Sequence, residues 1–198
     1  MNDHIKLVGI SGSLRKGSYN TMLLRAASRL LPDDVSMDIA LINDIPLYNA
    51  DFDLPAAKER PQSVALFRKR LADADGVLIS SPEYNYSIPG TIKNAIDWAS
   101  RGEDSPLLHK PIAVIGATIG LWGTVRMQTA FHPVYLFLDM KPVYKPEVLV
   151  AQAEKKFDKE GNLIDEITKK LLRQKLQALK DLIHLHAPAG DVLDTKLV

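Results

Sequence analysis

The sequence predicts a single α/β domain in three layers, with a doubly wound sheet of five parallel strands covered by helices on both faces. Short apolar runs alternate with longer amphipathic ones, which is the pattern of repeated strand–helix units. The short runs are apolar at nearly every position, as expected when both faces of a parallel sheet are covered. The length of 198 residues suits one domain with a sizeable core.

The elements follow from these runs in chain order. Strands are predicted at residues 5–11, 36–42, 76–81 and 110–118, and within 143–150. Helices are predicted at residues 20–31, 61–74, 91–100, 124–139 and 163–187. Residues 43–60 form a polar connection and residues 151–162 a charged linker or hairpin. A domain of residues 1–187 is therefore expected, followed by a poorly held tail at 188–198.

Two of the helices have specific sequence signals. Pro61 is acceptable in the first turn of its helix, because its missing N–H has no partner there. The last helix is amphipathic, since its apolar residues are spaced by threes and fours. These residues are Ile164, Ile167, Leu171, Leu172, Leu176, Leu179 and Ile183.

Composition excludes several classes of function. With 25 basic and 24 acidic residues the net charge is +1, so neither nucleic acid nor a membrane surface is an expected partner. The chain has no cysteine, which excludes disulfides, thiolate catalysis and cysteine-bound metals. His184 and His186 lie on different helix faces, so no metal site is predicted. No apolar run reaches about 18 residues and no signal peptide is visible, so a soluble cytoplasmic protein is expected.

Ligands of doubly wound sheets bind beyond the carboxyl ends of the strands. Three connections there have unusual chemistry: residues 12–20 (loop one), 82–90 (loop two) and 118–123 (loop three).

Loop one has the composition of a site for one phosphate monoester. Gly12 and Gly17 let the backbone approach an anion, and the start of the following helix favours negative charge. Ser13, Ser18 and Asn20 supply neutral donors, and Arg15 supplies a fixed cation. An ordinary Gly/Ser turn with a helix cap is the alternative.

Two other phosphate motifs do not fit loop one. Gly12 and Gly17 have the spacing of a triphosphate loop, but Ser18-Tyr19 stands where that loop needs a lysine and a hydroxyl residue. The dinucleotide pattern GxGxxG fails because Ser11-Gly12-Ser13 has one glycine where two are needed.

Loops two and three favour a flat ring. Pro82 and Pro89 stiffen loop two, and Tyr84 and Tyr86 can pack on a ring or at a subunit interface. Loop three has two glycines around Trp122, which allows close backbone approach. From the residues alone, the expected ligand is planar and phosphorylated.

Two motifs resemble those of a known family. Residues 12–20, GSLRKGSYN, are similar to the GSxRxxSxN signature of NADPH-dependent FMN reductases. Residues 82–101, PEYNYSIPGTIKNAIDWASR, are similar to that family's second signature. The resemblance covers residues 5–150 and looks closest to the branch of quinone and chromate reductases.

The resemblance implies a flavodoxin-like fold with FMN held noncovalently. It places Ser13, Arg15, Ser18, Tyr19 and Asn20 at the phosphate. The residues implied to border the ring or the ribityl chain are Pro82, Glu83, Tyr84, Asn85, Ala117 and Thr118. Arg101 and Trp122 are candidate contacts for the substrate or the nicotinamide nucleotide.

The implied activity is hydride transfer from NADPH or NADH through FMN to quinones, flavins, chromate or azo compounds, with ping-pong kinetics. No side chain is needed as acid or base, because the cofactor supplies the chemistry. The resemblance also implies a homodimer, or a tetramer through Tyr86, Arg126 and Glu147, although Thr129 replaces a tyrosine of that network.

Two other classes of protein share this fold, and the sequence fits them less well. An electron carrier of flavodoxin type usually has a strongly acidic docking face, and this chain is near neutral. A receiver-like signalling domain needs acidic residues after the first strand, where Ser11-Gly12-Ser13 stands instead. No motif in the sequence indicates the natural electron acceptor or the preference between NADH and NADPH.

Overall fold

The structure, a computed structural model, describes residues 4–186. The predicted tail at 188–198 and the predicted helix end at 187 lie outside that range. The strands are β1 (Ile5–Ser11), β2 (Val35–Ala40), β3 (Gly76–Ser80), β4 (Pro111–Ala117), β5 (Lys141–Pro142) and β6 (Leu149–Val150). The helices are α1 (Tyr19–Ser28), α2 (Gln62–Ala72), α3 (Gly90–Ala99), α4 (Val125–Ala130), α5 (His132–Phe137) and α6 (Glu166–His186).

The strands form one parallel sheet in the order β2-β1-β3-β4-β5, with β6 also paired to β4. Helices α1 and α6 cover one face, while α2, α3, α4 and α5 cover the other. The predicted α/β class, the doubly wound parallel sheet and the three layers are therefore confirmed.

Each central strand contributes to two cores, because successive side chains point to opposite faces. In β4, Ile112 and Val114 pack toward α2–α5, whereas Ala113 and Ile115 pack toward α1 and α6. This explains why the strands are apolar at consecutive positions rather than at alternate ones.

The fifth strand differs from the prediction. A continuous strand within 143–150 is predicted, but two two-residue pieces, β5 and β6, fill this position. Residues 144–147 leave the ladder, whereas the Val143 N–H still donates to the Ile112 carbonyl and the Val148 carbonyl accepts from the Gly116 N–H. Pro146 lies in the unpaired segment, where its missing N–H is tolerated.

The predicted helix at 124–139 is also divided. The structure has α4 and α5 separated at Phe131, with Pro133 in the first turn of α5. Proline cannot donate to the carbonyl four residues earlier, so the helix cannot continue through this position.

The last helix begins later than the predicted residue 163. The Asp165 carboxylate accepts from the Thr168 N–H at 2.8 Å and caps the helix. Leu163 instead pairs with Phe157 in an antiparallel bridge, so the 151–162 segment is a hairpin. Ile164 and Ile167, predicted on the apolar face, are 52% and 71% exposed. Within residues 4–186, no helix has the length and apolar character needed to cross a membrane.

Candidate cofactor site

Loops one, two and three meet at the carboxyl edge of the sheet. The Gly12 N–H donates to the Ser80 carbonyl at 2.8 Å, and the Ser81 N–H donates to the Ile115 carbonyl at 3.0 Å. The Thr91 hydroxyl donates to the Gly12 carbonyl at 2.8 Å and so joins the start of α3 to loop one. A Cβ at Gly12 would lie 2.8 Å from the Ser81 Cβ, so glycine is needed for this approach.

The start of α1 is partly capped by loop one itself. The buried Ser18 hydroxyl accepts from the N–H groups of Asn20 and Thr21 at 3.2 and 3.4 Å. The backbone N–H groups of Leu14, Lys16, Gly17 and Tyr19 donate to no protein acceptor among residues 4–186. Four free donors therefore surround the positive end of the α1 dipole, and no acidic residue lies in its first turn.

The charge beside loop one is positive. A cleft of about 600 Å³ runs between loop one and the end of β2. Arg15, Lys16 and Arg25 line it against the single carboxylate of Asp44. Arg15 and Lys16 are exposed, so their side chains are available to an anion from solvent.

Asn20 lies inside the site, where it connects loop one to β4. Its amide NH₂ donates to the Ala117 carbonyl at 2.9 Å, and its Oδ1 accepts from the Ala117 N–H at 2.9 Å. The Ser80 hydroxyl also donates to Oδ1, at 3.3 Å. Asn20 is 3% exposed, so its main contacts are with the protein, a role that the sequence analysis did not predict.

Loop two contains a strained two-residue turn. Tyr84 and Ser87 exchange hydrogen bonds of 3.3 and 3.0 Å, and the two residues between them, Asn85 and Tyr86, have φ values of 50° and 61°. A bulky residue at positive φ is rare and is found where the surroundings fix it. The Arg126 guanidinium lies 4.2 Å from the Tyr86 ring centroid and packs against that ring.

Glu83 joins loop two to α4. One oxygen of its carboxylate accepts from the N–H groups of Arg126 and Met127 at 2.9 and 3.1 Å. The other oxygen is 3.6 Å from the Arg126 guanidinium, which also lies 5.3 Å from the Trp122 ring centroid. Because this carboxylate is bound to α4, Glu83 presents its backbone rather than its charge to a ligand in loop two.

Loop three is held to the end of the sheet by its backbone. The Thr118 N–H donates to the Val150 carbonyl at 2.9 Å, and its hydroxyl accepts from the Gly120 N–H at 3.2 Å. A Cβ at Gly116 would lie 2.6 Å from the Ser81 carbonyl oxygen and would also contact Thr124 Oγ1. Gly116 therefore permits loops two and three to approach each other.

Two candidate residues lie apart from these loops. Arg101 follows α3, whose 10 residues span about 15 Å from loop two. There Arg101 packs 5.3 Å from the Tyr48 ring centroid and 3.7 Å from the Asp97 carboxylate. Glu147 pairs with Lys145 at 3.1 Å rather than with Arg126. The structure brings Tyr86 together with Arg126, but not with Glu147.

The sequence analysis missed Ser80, Thr91 and Thr124. The Thr91 hydroxyl donates to the Gly12 carbonyl, and the buried Ser80 hydroxyl donates to the Asn20 side chain. The Thr124 hydroxyl is buried and has no hydrogen-bond partner among the described residues. Of these three residues, only Thr91 could be predicted from the sequence. A hydroxyl directly after Pro89-Gly90 lies in the first turn of a helix, where it can reach a neighbouring loop.

The residues fit a planar cofactor with one terminal phosphate. Free amides, a cation and a helix start supply the phosphate site, and two aromatic, glycine-bearing loops border the adjoining space. This arrangement at the switch point of a parallel sheet defines a flavodoxin-like flavoprotein. Its sequence match identifies the group more closely: residues 5–155 match the family described as NADPH-dependent FMN reductase, and the chain belongs to that family.

Similar proteins agree with this assignment. An NAD(P)H-dependent FMN reductase of Pseudomonas aeruginosa is 46% identical over 180 residues, which cover 91% of this chain and 96% of the relative. A quinone reductase of Escherichia coli K12 is 37% identical, with 92% and 97% covered. The flavoenzyme NAD(P)H:(acceptor) oxidoreductase FerB of Paracoccus denitrificans has a TM-score of 0.81 at 34% identity, with 92% and 98% covered. The chain is an oxidoreductase that uses FMN with NAD(P)H as electron donor.

Proposed function

We propose that this enzyme passes electrons from NAD(P)H to quinones. The observation that carries the proposal is that Asn20 and Thr91 hold loop one against the end of β4 and the start of α3, beside the aromatic residues of loops two and three. Support for the acceptor comes from relatives described as quinone reductases in Escherichia coli and as a 2-hydroxy-1,4-benzoquinone reductase in Burkholderia, at 37% and 39% identity. Chromate, free flavins and azo compounds are further proposed acceptors.

The protein's contribution is binding and orientation. We propose that Arg15, the Ser13 hydroxyl and the free N–H groups of loop one and of Tyr19 hold the phosphate. Ser18 and Asn20 act mainly by fixing the α1 start and the Ala117 backbone. The residues proposed to border the ring are Pro82, Glu83, Tyr84, Asn85, Ala117 and Thr118. Bound FMN supplies two-electron chemistry between donor and acceptor, so no side chain is assigned as acid or base.

The activity assay tests the acceptor. Purified protein loaded with FMN is mixed with NADPH or NADH and a panel of quinones without oxygen, and nucleotide oxidation is followed. We expect quinone-dependent oxidation with parallel double-reciprocal lines. A protein that takes up FMN but shows no quinone-dependent oxidation with either nucleotide would refute the proposed acceptor class.

Replacing Arg15 with alanine is expected to weaken FMN binding by about tenfold or more, because a charge-assisted hydrogen bond to phosphate is lost. Quenching of FMN fluorescence on titration into apoprotein measures the affinity. Lys16→Ala is the matched control, since Lys16 is an equally exposed neighbouring cation without the planar fork of arginine. Equal affinities for wild type and Arg15→Ala would contradict the phosphate assignment.

We propose Trp122 as a contact for the acceptor. Trp122 is 65% exposed, and its ring centroid lies 5.3 Å from the Arg126 guanidinium, which also packs on Tyr86 of loop two. Trp122→Ala is expected to raise the quinone KM by about fivefold, since an aromatic stacking contact contributes ~1 kcal/mol. FMN affinity should be unchanged, and Leu121→Ala, at another exposed position of loop three, serves as control. An unchanged quinone KM would remove Trp122 from the site.

We also propose a homo-oligomer, a dimer or a tetramer, with Tyr86 and Arg126 near a subunit contact and Glu147 as a further member. Exposed apolar side chains on α5 support a contact there: Leu136 is 85% and Phe137 is 69% exposed. Arg101 would reach a substrate only in a site completed by a second copy, because α3 separates it from loop two of its own chain. Light scattering of the purified protein measures the number of copies.

The cytoplasm, where NAD(P)H is supplied, is the proposed compartment.

A further inference from the structure

A second cavity lies away from the cofactor loops, behind the interrupted fifth strand. Its volume is about 170 Å³, and it separates α4 and α5 from residues 143–149. Its polar lining includes Gln128, Thr129, Tyr135 and Lys175, together with His132, Tyr144, Lys145 and Glu147. None of these residues belongs to loops one, two or three.

Lys175 reaches this cavity from α6 at the edge of the sheet. Its side chain is buried, and Nζ donates to the Val143 carbonyl at 2.5 Å and more weakly to the Tyr144 carbonyl at 3.5 Å. Both carbonyls lie where the chain leaves the ladder, directly after the Val143 N–H that still donates to the Ile112 carbonyl of β4. No carboxylate oxygen within residues 4–186 lies within 4 Å of this ammonium. A buried cation without a counter-ion is costly, and its third N–H has no protein acceptor in that range.

Tyr135 supplies a second donor. It lies on α5 and lines the cavity, and the residue is only 8% exposed. Its hydroxyl makes no hydrogen bond to a described residue and is therefore open to a ligand in the cavity. The neighbouring polar groups are already used, since the Gln128 amide donates to the Val148 carbonyl at 3.0 Å and the Thr129 hydroxyl to the Val125 carbonyl at 3.0 Å.

We propose that this cavity binds one small oxyanion of carboxylate size, held by the Lys175 ammonium and the Tyr135 hydroxyl. An anion there would supply both the missing counter-ion and the missing acceptor. The volume of 170 Å³ accommodates a formate or acetate ion with one or two waters, since a water takes about 30 Å³. It is too small for FMN or a nicotinamide nucleotide, so the site is separate from the proposed reaction.

The protonation states of the Lys175 ammonium and the Tyr135 hydroxyl are consistent with an anion site. Burial lowers the pKa of the Lys175 ammonium to about 8, with Glu147 opposing the effect and Lys145 adding to it. Burial also raises the pKa of the Tyr135 hydroxyl. At neutral pH both groups therefore keep the proton that they would donate. The charged and titratable groups around Lys175 are Glu147, Lys145, His132, Tyr135 and Tyr144.

Calorimetric titration of the FMN-loaded enzyme with sodium formate at neutral pH tests the proposal. We expect one binding site per chain in the wild type. Lys175→Met and Tyr135→Phe should each weaken binding by about tenfold or more, because each loses one hydrogen bond to a charged ligand. Tyr135→Phe removes only the hydroxyl, so it keeps the test valid if Lys175→Met fails to fold. Lys180→Met is the control, since this lysine of α6 pairs with Asp34.

The pH dependence gives a second readout. Formate binding should weaken above pH 8, as the Lys175 ammonium loses its proton, and this change should be absent in Lys175→Met. Wild-type enzyme that takes up FMN but binds no formate would overturn the site, as would equal formate affinity in wild type and Tyr135→Phe. Neither result bears on the proposed quinone activity.

Discussion

Replacing Arg68 with methionine is expected to lower the free energy of unfolding by about 3–5 kcal/mol, because a buried cation that satisfies several carbonyls is removed. Arg68 lies on α2 and is 6% exposed. Its guanidinium donates to four backbone carbonyls at distances of 2.9 to 3.2 Å, and it also pairs with the Asp104 carboxylate at 2.9 Å. Two of these carbonyls, of Trp98 and Ala99, belong to the end of α3, where helix carbonyls have no partner within the helix. The other two, of Arg101 and Asp104, belong to the turn that follows α3.

Urea unfolding followed by circular dichroism measures this effect. Arg70→Met is the matched control, because Arg70 lies on the same helix, is about half exposed and has only a 3.6 Å contact with Asp38. An exposed pair of this kind contributes at most about 1 kcal/mol. If the two variants lost equal stability, the carbonyl contacts of Arg68 would not support the end of α3 as described.

Arg68 also shows what the sequence could not predict. Its helix was predicted from periodicity, but two arginines and a lysine follow one another at residues 68–70, and nothing local indicates which is buried. The choice depends on the position of the α3 end, which lies 30 residues further along the chain. Local patterns predict helix α2, but only the packing of α2 against α3 determines which of its three cations is buried.

The same limit explains two of the departures from the predicted fold. The three inner strands β1, β3 and β4 match their predicted bounds within one residue, because burial of both faces leaves a strong apolar pattern. The fifth position lies at the edge of the sheet, where pairing is interrupted around Pro146 without changing the apolar appearance of residues 143–150. Phe131 likewise continues the apolar pattern of its helix although Pro133 divides it. In both places the proline is the informative residue.

The sequence predicts the composition of the cofactor site but not its internal connections. The glycines, hydroxyls and Arg15 of loop one predict a phosphate loop, and this assignment stays a prediction. The partners of Asn20 and Glu83 are Ala117 and the start of α4, nearly 100 and more than 40 residues away along the chain. Such pairs become visible only when the parallel sheet brings the strand ends together. Asn20, predicted to donate to the phosphate, is therefore proposed to act mainly by holding the loops in place.

Replacing Asn20 with alanine tests most directly whether Asn20 holds the loops in place, because this change should affect both stability and cofactor binding. Asn20→Ala leaves the buried Ala117 N–H and carbonyl without partners, at a cost of about 1–3 kcal/mol for each. We expect the free energy of unfolding of the apoprotein to fall by ~3–7 kcal/mol, which is the sum for those two groups and about 1 kcal/mol for the lost Ser80 bond.

FMN affinity should fall as well, although the Arg15 guanidinium and the free amides remain, because loop one and loop three are no longer held together. Asn20→Asp separates the two causes. Its carboxylate can still accept from the Ala117 N–H but cannot donate to the Ala117 carbonyl, so its stability should lie between those of wild type and Asn20→Ala. Asn43→Ala, an exposed asparagine near the end of β2, is the control for stability. If Asn20 acted only as a phosphate ligand, the apoprotein of Asn20→Ala would be as stable as that of Asn43→Ala, and only FMN binding would change.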